Sequence, residues 1–258
     1  MKKWTLITGA SSGLGYAFAL EYAKQNEPMI LIARRLDRLE ELKAKINQIT
    51  SAEVMIYQVD LSKRNELEAF IQSFPSDDQI ERLINNAGFG YAGPFSDLPL
   101  DKLWDMNEVN VQALTRLSQW VIPNMKKNQS GQILNVASMA GFVSGPFMAE
   151  YYAGKSYVLS FSIALHEELK SDHILVSALC PGPTHTEFFK VASTASSSVH
   201  DTFTMDIEPV IEAAIKGLKK GKCIIIPGFS NKFLHIMMAC IPRTLSAKMV
   251  AEIQKGEI

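Results

Sequence analysis

Short apolar runs rich in β-branched residues alternate with longer amphipathic stretches along almost the whole chain, and that alternation restricts the fold more than any other feature. The runs are WTLIT, MILIA, VMIYQVD, RLINNAG, GQILNVAS, ILVSALCPG and KCIIIP. Segments such as YAFALEYAKQ, RLEELKAKINQI, NELEAFIQSF and VIEAAIKGLKK separate them. Strands apolar on both sides need cover on both faces, which a parallel sheet with helices packed on each side provides. The expected class is therefore α/β, a three-layer doubly wound fold. A chain of 258 residues is near the upper size for one core and carries no internal repeat, so residues 1–258 are expected to form a single domain. Two segments break the rhythm. Residues 183–206 are Ser/Thr-rich and weakly patterned, as expected of a lid that closes on a ligand. Residues 228–258 add an apolar helical extension.

Composition narrows the function classes. Lys and Arg number 26 against 27 Asp and Glu, and no basic run stands out, so there is no electrostatic case for nucleic acid. Cys180, Cys223 and Cys240 are far apart, and neither they nor His166, His173, His185, His200 and His235 form a metal-ligand spacing. No metal and a reduced, cytoplasmic setting are expected. The apolar run in MKKWTLITGASS is too short for a signal peptide, and no stretch approaches the ~18 apolar residues that span a bilayer.

TLITGASSGLGYAFAL places Gly9, Gly13 and Gly15, with Ser11, Ser12 and Leu14 among them, between the first strand and the first helix. Glycines let the backbone turn tightly and approach a diphosphate, whose charge then rests on unpaired N–H groups at the helix's positive end. The spacing is GxxxGxG rather than GxGxxG, so on its own it also suits a strand–helix turn with no ligand. Further on, LIARRLDRLEEL carries Arg34 and Arg35 where an NAD-binding unit carries an acid for the ribose 2′-hydroxyl. A guanidinium holds a 2′-phosphate bidentately. NADP(H) is thus favoured over NAD(H), with Asp37 the nearby carboxylate that argues the other way.

AEYYAGKSYV, residues 149–158, puts Lys155 four residues after Tyr151 and three after Tyr152. On a helix either phenol shares a face with the ammonium. By spacing alone, either is a candidate proton carrier, or both are packing residues.

TGASSGLG, the NNAG at 85–88, and Ser138 thirteen residues before a YxxxK occur in an order and spacing that resemble the short-chain dehydrogenase/reductase family, from about Trp4 to Pro227. The resemblance implies a seven-stranded Rossmann sheet in the order 3-2-1-4-5-6-7, and a carbonyl–alcohol oxidoreductase. It selects Tyr151, with Lys155, Ser138 and Asn110, as the catalytic set. Ser138 would hold the substrate oxygen, Lys155 the cofactor's ribose hydroxyls, and Asn110 a water that relays protons. It also implies Asp60 beside the adenine, and Asn86, Ala87 and Gly88 against the central strand and ribose. The PGPTHTEF segment would bring Pro181, Gly182, Thr184 and Thr186 to the diphosphate or the nicotinamide amide; His185 within it has no evident part. Tyr152 is left as a packing or subunit-contact residue. A free phenol has a pKa near ~10, so serving as a base at neutral pH asks for a drop of ~3 units, about 4 kcal/mol, which the nearby Lys155 and the oxidised cofactor would supply.

The substrate is less legible. Phe89, Tyr91, Phe142, Phe147, Phe188 and Phe189 flank the expected site with no arginine clamp for a carboxylate, so an apolar carbonyl or hydroxy compound is expected. A 3-oxoacyl-thioester reductase is one alternative; a non-catalytic NADP(H) sensor or scaffold is the alternative of another class. The family likeness implies a homodimer or homotetramer through helices near 100–125 and 149–170. The tail GFSNKFLHIMMACIPRTLSAKMVAEI has three uses open to it: pocket cover, subunit packing, or an amphipathic helix on a membrane surface. Its few cations (Lys232, Arg243 and Lys248) weigh against membrane contact.

Overall fold

The computed structural model describes residues 2–75, 77–188 and 204–255. Seven strands form one parallel sheet in the order β3-β2-β1-β4-β5-β6-β7, as the resemblance implied. They are β1 (Lys3–Thr8), β2 (Met29–Ala33), β3 (Val54–Gln58), β4 (Gln79–Asn85), β5 (Gly131–Val136), β6 (Ile174–Leu179) and β7 (Ile224–Ile225). The order jumps from β3 back across β1 to β4, so the C-terminal ends of β1 and β4 meet at a switch point where open α/β sheets bind ligands.

Both faces of the sheet are covered, as strands buried on both sides demand. All five residues of β2 are buried. On one face, α1 (Gly13–Lys24), α2 (Leu36–Ile46) and α7 (Ile207–Lys219) bring Phe18, Leu39, Leu42 and Ala214 against Ile7 and Leu31. On the other, α3 (Arg64–Ser73) and α5 (Leu114–Asn128) set Phe70, Leu117 and Val121 against Leu6, Ile32 and Ile133. Beside α5, α6 (Ala149–Glu168) packs Val158 and Leu159 on Ala137, Ala178 and Cys180. The tail forms α8 (Phe229–Ala239) and α9 (Arg243–Lys255).

Two elements differ from the pattern in the sequence. The long helical run after residue 100 is not uniform: α4 (Leu100–Asn107) and α5 are joined by a π-helical turn over Glu108–Ala113. Such turns shift the helix face by one residue and recur at functional sites; this one carries Asn110. KCIIIP pairs over only two residues, because Pro227 has no N–H to donate and Gly228 turns the chain away at φ 79°.

A buried polar ladder fixes α6 on the sheet. Asn85 and Asn135 are register partners on β4 and β5, and the Asn85 amide donates to Asn135 Oδ1 at 2.9 Å and to Ser118 Oγ at 3.2 Å. The Asn135 amide then donates to Ser162 Oγ on α6 at 2.9 Å. A buried network whose members depend on one another is sensitive to small shifts, so it holds the rotation of α6, and with it residues 151 and 155.

Candidate active site

The glycine turn is built by close approach. Gly9 sits at φ 65°, and a Cβ there would lie 2.8 Å from Ala87 Cα. At Gly15 a Cβ would come within 2.4 Å of the Gly9 carbonyl oxygen and 2.5 Å of Asn86 Nδ2. Gly15→Ala is accordingly expected to cost about 3 kcal/mol or more, since rigid backbone cannot yield. A thermal or denaturant melt reads it directly, and an unshifted melt would show that the turn is not held this way. The far side is Asn86, whose amide donates to the Thr8 carbonyl at 2.9 Å and the Gly9 carbonyl at 3.3 Å. Thr8, which the sequence reading passed over, holds the pair together: its hydroxyl accepts from the N–H groups of both Asn86 and Ala87 at 3.0 Å.

Gly88 lies beside the polar end of the site, where a Cβ would lie 3.0 Å from Asn110 Oδ1 and 3.5 Å from Lys155 Nζ. Asn110 is buried, and both ends of its amide are engaged with Phe89: Nδ2 donates to the Phe89 carbonyl at 2.8 Å and Oδ1 accepts from the Phe89 N–H at 3.1 Å. The resemblance suggested a water-holding residue; what Asn110 visibly does is latch the turn after β4 onto the π-helical segment.

Ser138 follows β5. Its Oγ accepts from Ala140 N at 3.1 Å, and Met139 N donates to the Pro181 carbonyl at 2.9 Å, tying this loop to the one after β6. One turn into α6, Tyr151 is buried and within reach of the Ser138 hydroxyl. Lys155 is buried as well; its Nζ lies 5.7 Å from the Tyr151 ring centroid and donates to the Val136 carbonyl at 2.8 Å. Burial is the main influence on both groups. It pushes the Lys155 ammonium down to about 8, with the Cys180 thiol opposing slightly. It raises the Tyr151 phenol well above the ordinary tyrosine range, against the pull of Ser138. The expectation that Lys155 lowers Tyr151 therefore does not hold for the protein groups alone. Desolvation of the phenol outweighs a cation whose hydrogen bond is directed to Val136.

Phe188 accounts for much of that enclosure. Its ring lies 5.1 Å from Tyr151, and a Cβ at Gly90 would meet Phe188, Met148 and Tyr151 together. Leu103, Met106 and Ala140 complete an apolar cluster around the phenol. Of the other expected substrate contacts, Phe89 and Tyr91 pack edge to face at 5.6 Å. Phe147 adopts φ 66°, rare for an aromatic, while its carbonyl accepts from Gly93 N at 2.8 Å. Phe189, and residues 189–203 of the expected lid, lie outside the described residues.

Arg35 and Arg34 diverge. The Arg35 guanidinium donates to Ser11 Oγ at 3.2 Å and pairs with Glu187 at 3.0 Å. Arg35, aided by Ser12, holds the Glu187 carboxyl below its usual range. An acid thus sits on the cation that the sequence reading assigned to a phosphate. Arg34 is exposed and, among the described residues, only its carbonyl is bonded, accepting from Gln58 at 3.0 Å. Asp60 accepts from the Ser62 N–H and hydroxyl at 3.0 and 2.9 Å. In the segment after β6, Thr186 Cγ2 would lie 3.3 Å from a Cβ at Gly13, which brings that loop over the glycine turn. Thr184 bridges to Met205 and His185 N donates to the Met205 carbonyl at 3.0 Å, so His185 contributes backbone.

Tyr152 is tied within the chain. Gln254 Nε2 on α9 donates to its hydroxyl at 3.2 Å, and a Cβ at Gly145 would strike its ring. Among the described residues no group of three His, Cys, Asp or Glu is placed to hold a metal, and no helix is long and apolar enough to cross a membrane.

The family model for short chain dehydrogenases matches residues 3–197. The very-long-chain 3-oxoacyl-CoA reductase of Anas platyrhynchos is 33% identical over 193 residues, which cover 73% of this chain and 62% of that protein. The chain thus spans about three fifths of that relative's length. The uncharacterized oxidoreductase YvrD of Bacillus subtilis is 34% identical over 82% of this chain and 81% of its own. Among solved structures, a short-chain dehydrogenase from Sphingobium yanoikuyae in complex with NADPH superposes with a TM-score of 0.82 at 30% identity, covering 94% and 97% of the two chains. The bulky-bulky ketone specific alcohol dehydrogenase from Comamonas testosteroni gives 0.78 at 27%, covering 94% and 96%.

Proposed function

Because this chain belongs to the short-chain dehydrogenase family, we propose that it reduces an apolar, bulky ketone or 3-oxoacyl compound to the alcohol with NADPH, using Tyr151 as the acid. The observation that carries this reading is the half-buried Ser138 beside buried Tyr151 and Lys155, with apolar side chains around the phenol. The bound cofactor would supply hydride. The residues of this chain do the rest. Ser138 and Tyr151 present two hydroxyls to one carbonyl oxygen, fixing its orientation. As charge gathers on that oxygen, Tyr151 donates its proton. A phenol kept neutral by burial carries at neutral pH the proton that the developing alkoxide needs. Lys155, pushed down to about 8, still carries its proton for the most part at pH 7 and places a positive charge beside the phenol.

Gly9, Gly13 and Gly15, the start of α1, and Pro181–Thr186 form a cradle that fits a dinucleotide. Arg35, held beside the glycine turn by Ser11, supports a phosphate on the adenosine ribose, and the Glu187 carboxylate paired with it would have to give way to that phosphate. Arg35→Ala is expected to weaken NADPH binding by roughly 30–100-fold, about 2–3 kcal/mol, with NADH hardly affected. Glu187→Gln should tighten NADPH a few-fold, the yield of an exposed pair. Equal losses for both cofactors in Arg35→Ala would remove Arg35 from the reading. Exposed Leu100, Trp104, Tyr157 and Ile163 on α4 and α6 support a subunit interface there.

The 3-oxoacyl thioester is the more specific alternative, favoured by the likeness to the Anas platyrhynchos reductase named above. NADPH oxidation against bulky ketones, aldehydes and 3-oxoacyl thioesters of increasing chain length, with NADH as control, separates the readings. Activity on at least one carbonyl class is expected. Silence across the panel with tight NADPH binding would favour the non-catalytic binder.

A further inference from the structure

The tail's inward side covers the candidate site. Asn231 underlies Gly182 and donates to the Pro227 carbonyl at 2.9 Å, the His235 ring lies 4.1 Å from Phe142, and Gln254 reaches Tyr152. The outward side covers nothing. Of fifteen large apolar side chains exposed among the described residues, eight fall on α8 and α9, including Phe229 at 85% and Ile236 at 64%. Phe229, Phe233 and Ile236 follow i, i+4, i+7 spacing on α8, and Leu245, Met249 and Ile253 follow i, i+4, i+8 on α9, so each helix carries an apolar stripe turned to solvent. A soluble surface rarely gathers that much exposed apolar area without a partner for it.

Charge identifies the partner. Residues 228–258 hold four cations (Lys232, Arg243, Lys248, Lys255) and two acids (Glu252, Glu257), net +2, whereas the chain totals −1, leaving −3 elsewhere. Lys232, Arg243 and Lys248 make no ion pair among the described residues, while Lys255 pairs with Glu252. Arg243 lines a hollow beside Ser156 and Leu159 of α6, which leaves exposed Lys232 and Lys248 as the unpaired cations clear of that hollow, and an isologous contact with a second copy would bring like charge toward like. An anionic surface matches that charge. We propose that α8 and α9 lie in the plane of an anionic lipid surface, their apolar stripes in the headgroup boundary and their cations on the phosphates. The sequence alone counted too few cations for this; exposure of the stripes, visible only in the fold, reverses that balance. The docked helices are the ones that cover the site, so an apolar substrate dissolved in lipid would reach the pocket without crossing water, a consequence that rests on the function proposed above.

The test needs no substrate. The full chain is sedimented with vesicles of phosphatidylcholine, with and without phosphatidylglycerol, and its assembly size is followed by light scattering. Binding to the phosphatidylglycerol vesicles is expected to exceed binding to phosphatidylcholine alone by about tenfold, to weaken with salt, and to fall by about tenfold in Phe233→Glu/Ile236→Glu. Lys232→Glu/Lys248→Glu, which changes only surface charge, should lose the preference for phosphatidylglycerol and retain the melting temperature. It therefore decides the matter even if the first variant misfolds. A protein left in the supernatant with both vesicles overturns the proposal. So does an apolar-face variant that splits a larger assembly while the unmodified chain ignores lipid, which would assign the face to a second copy.

Discussion

Tyr151→Phe is expected to lower the rate of carbonyl reduction by roughly 10³-fold or more, within the range general acid–base catalysis contributes, while NADPH binds with unchanged affinity. The phenyl ring keeps the apolar contacts to Phe188, Met148 and Ala140, so the pocket stays packed. Only the hydroxyl is lost, and no other described proton donor stands beside Ser138 to replace it except Lys155, whose hydrogen bond points to Val136. Tyr152→Phe removes the bond from Gln254 and should cost about 1 kcal/mol of stability at most, with turnover kept within a few-fold. Paired kinetics and cofactor titrations of the two variants decide the assignment. Loss of turnover in Tyr152→Phe with Tyr151→Phe active would reverse it.

Lys155→Met should produce opposite changes in activity and stability. Turnover falls by a factor comparable to that of Tyr151→Phe. The fold, however, becomes more stable at pH 7. Burial lowers the lysine from 10.5 in the unfolded chain to about 8 in the folded one. Below pH 8 both states carry the proton and the folded state bears the full cost of an enclosed charge, about 3 kcal/mol. As pH rises from 8 to 10.5 the folded state loses its proton first, and the cost fades. Methionine removes that cost but leaves the Val136 carbonyl without its donor, worth about 1–2 kcal/mol. A net gain of about 1–2 kcal/mol is therefore expected at pH 7, shrinking above pH 8. Tyr151 is common to both proteins and cancels in the difference. Urea melts at pH 7 and pH 9.5 measure it. A variant less stable at both would mean that Lys155 is held by interactions stronger than its desolvation.

The sheet was legible in the sequence because parallel strands buried on both faces leave nearly unbroken apolar runs, and MILIA can hardly be read otherwise. The glycine turn was legible because Gly9 and Gly15 meet backbone atoms that admit no Cβ. What escaped depends on three-dimensional neighbours. Nothing near Asn135 in sequence announces that it relays Asn85 to Ser162. Glu187 directly follows Thr186, but only the fold brings it to Arg35, 152 positions away. The burial that raises Tyr151 among the protein groups could not be read from spacing. Spacing reports the distance between two charges and says nothing of the apolar cluster that encloses them. The tail gave an apolar helical pattern, and pattern alone does not distinguish a stripe that packs inward from one that faces out.

The most direct test is a single turnover with NADPH deuterated at nicotinamide C4 and a bulky ketone or 3-oxoacyl thioester to which the protein responds by fluorescence or thermal shift. If this site is the catalytic centre described, the alcohol formed carries deuterium on its carbinol carbon, in an amount equal to the protein, and Tyr151→Phe binds the same cofactor and forms none. NADPH held tightly and recovered unoxidised from every such complex would contradict the account and leave a dinucleotide-binding protein without chemistry.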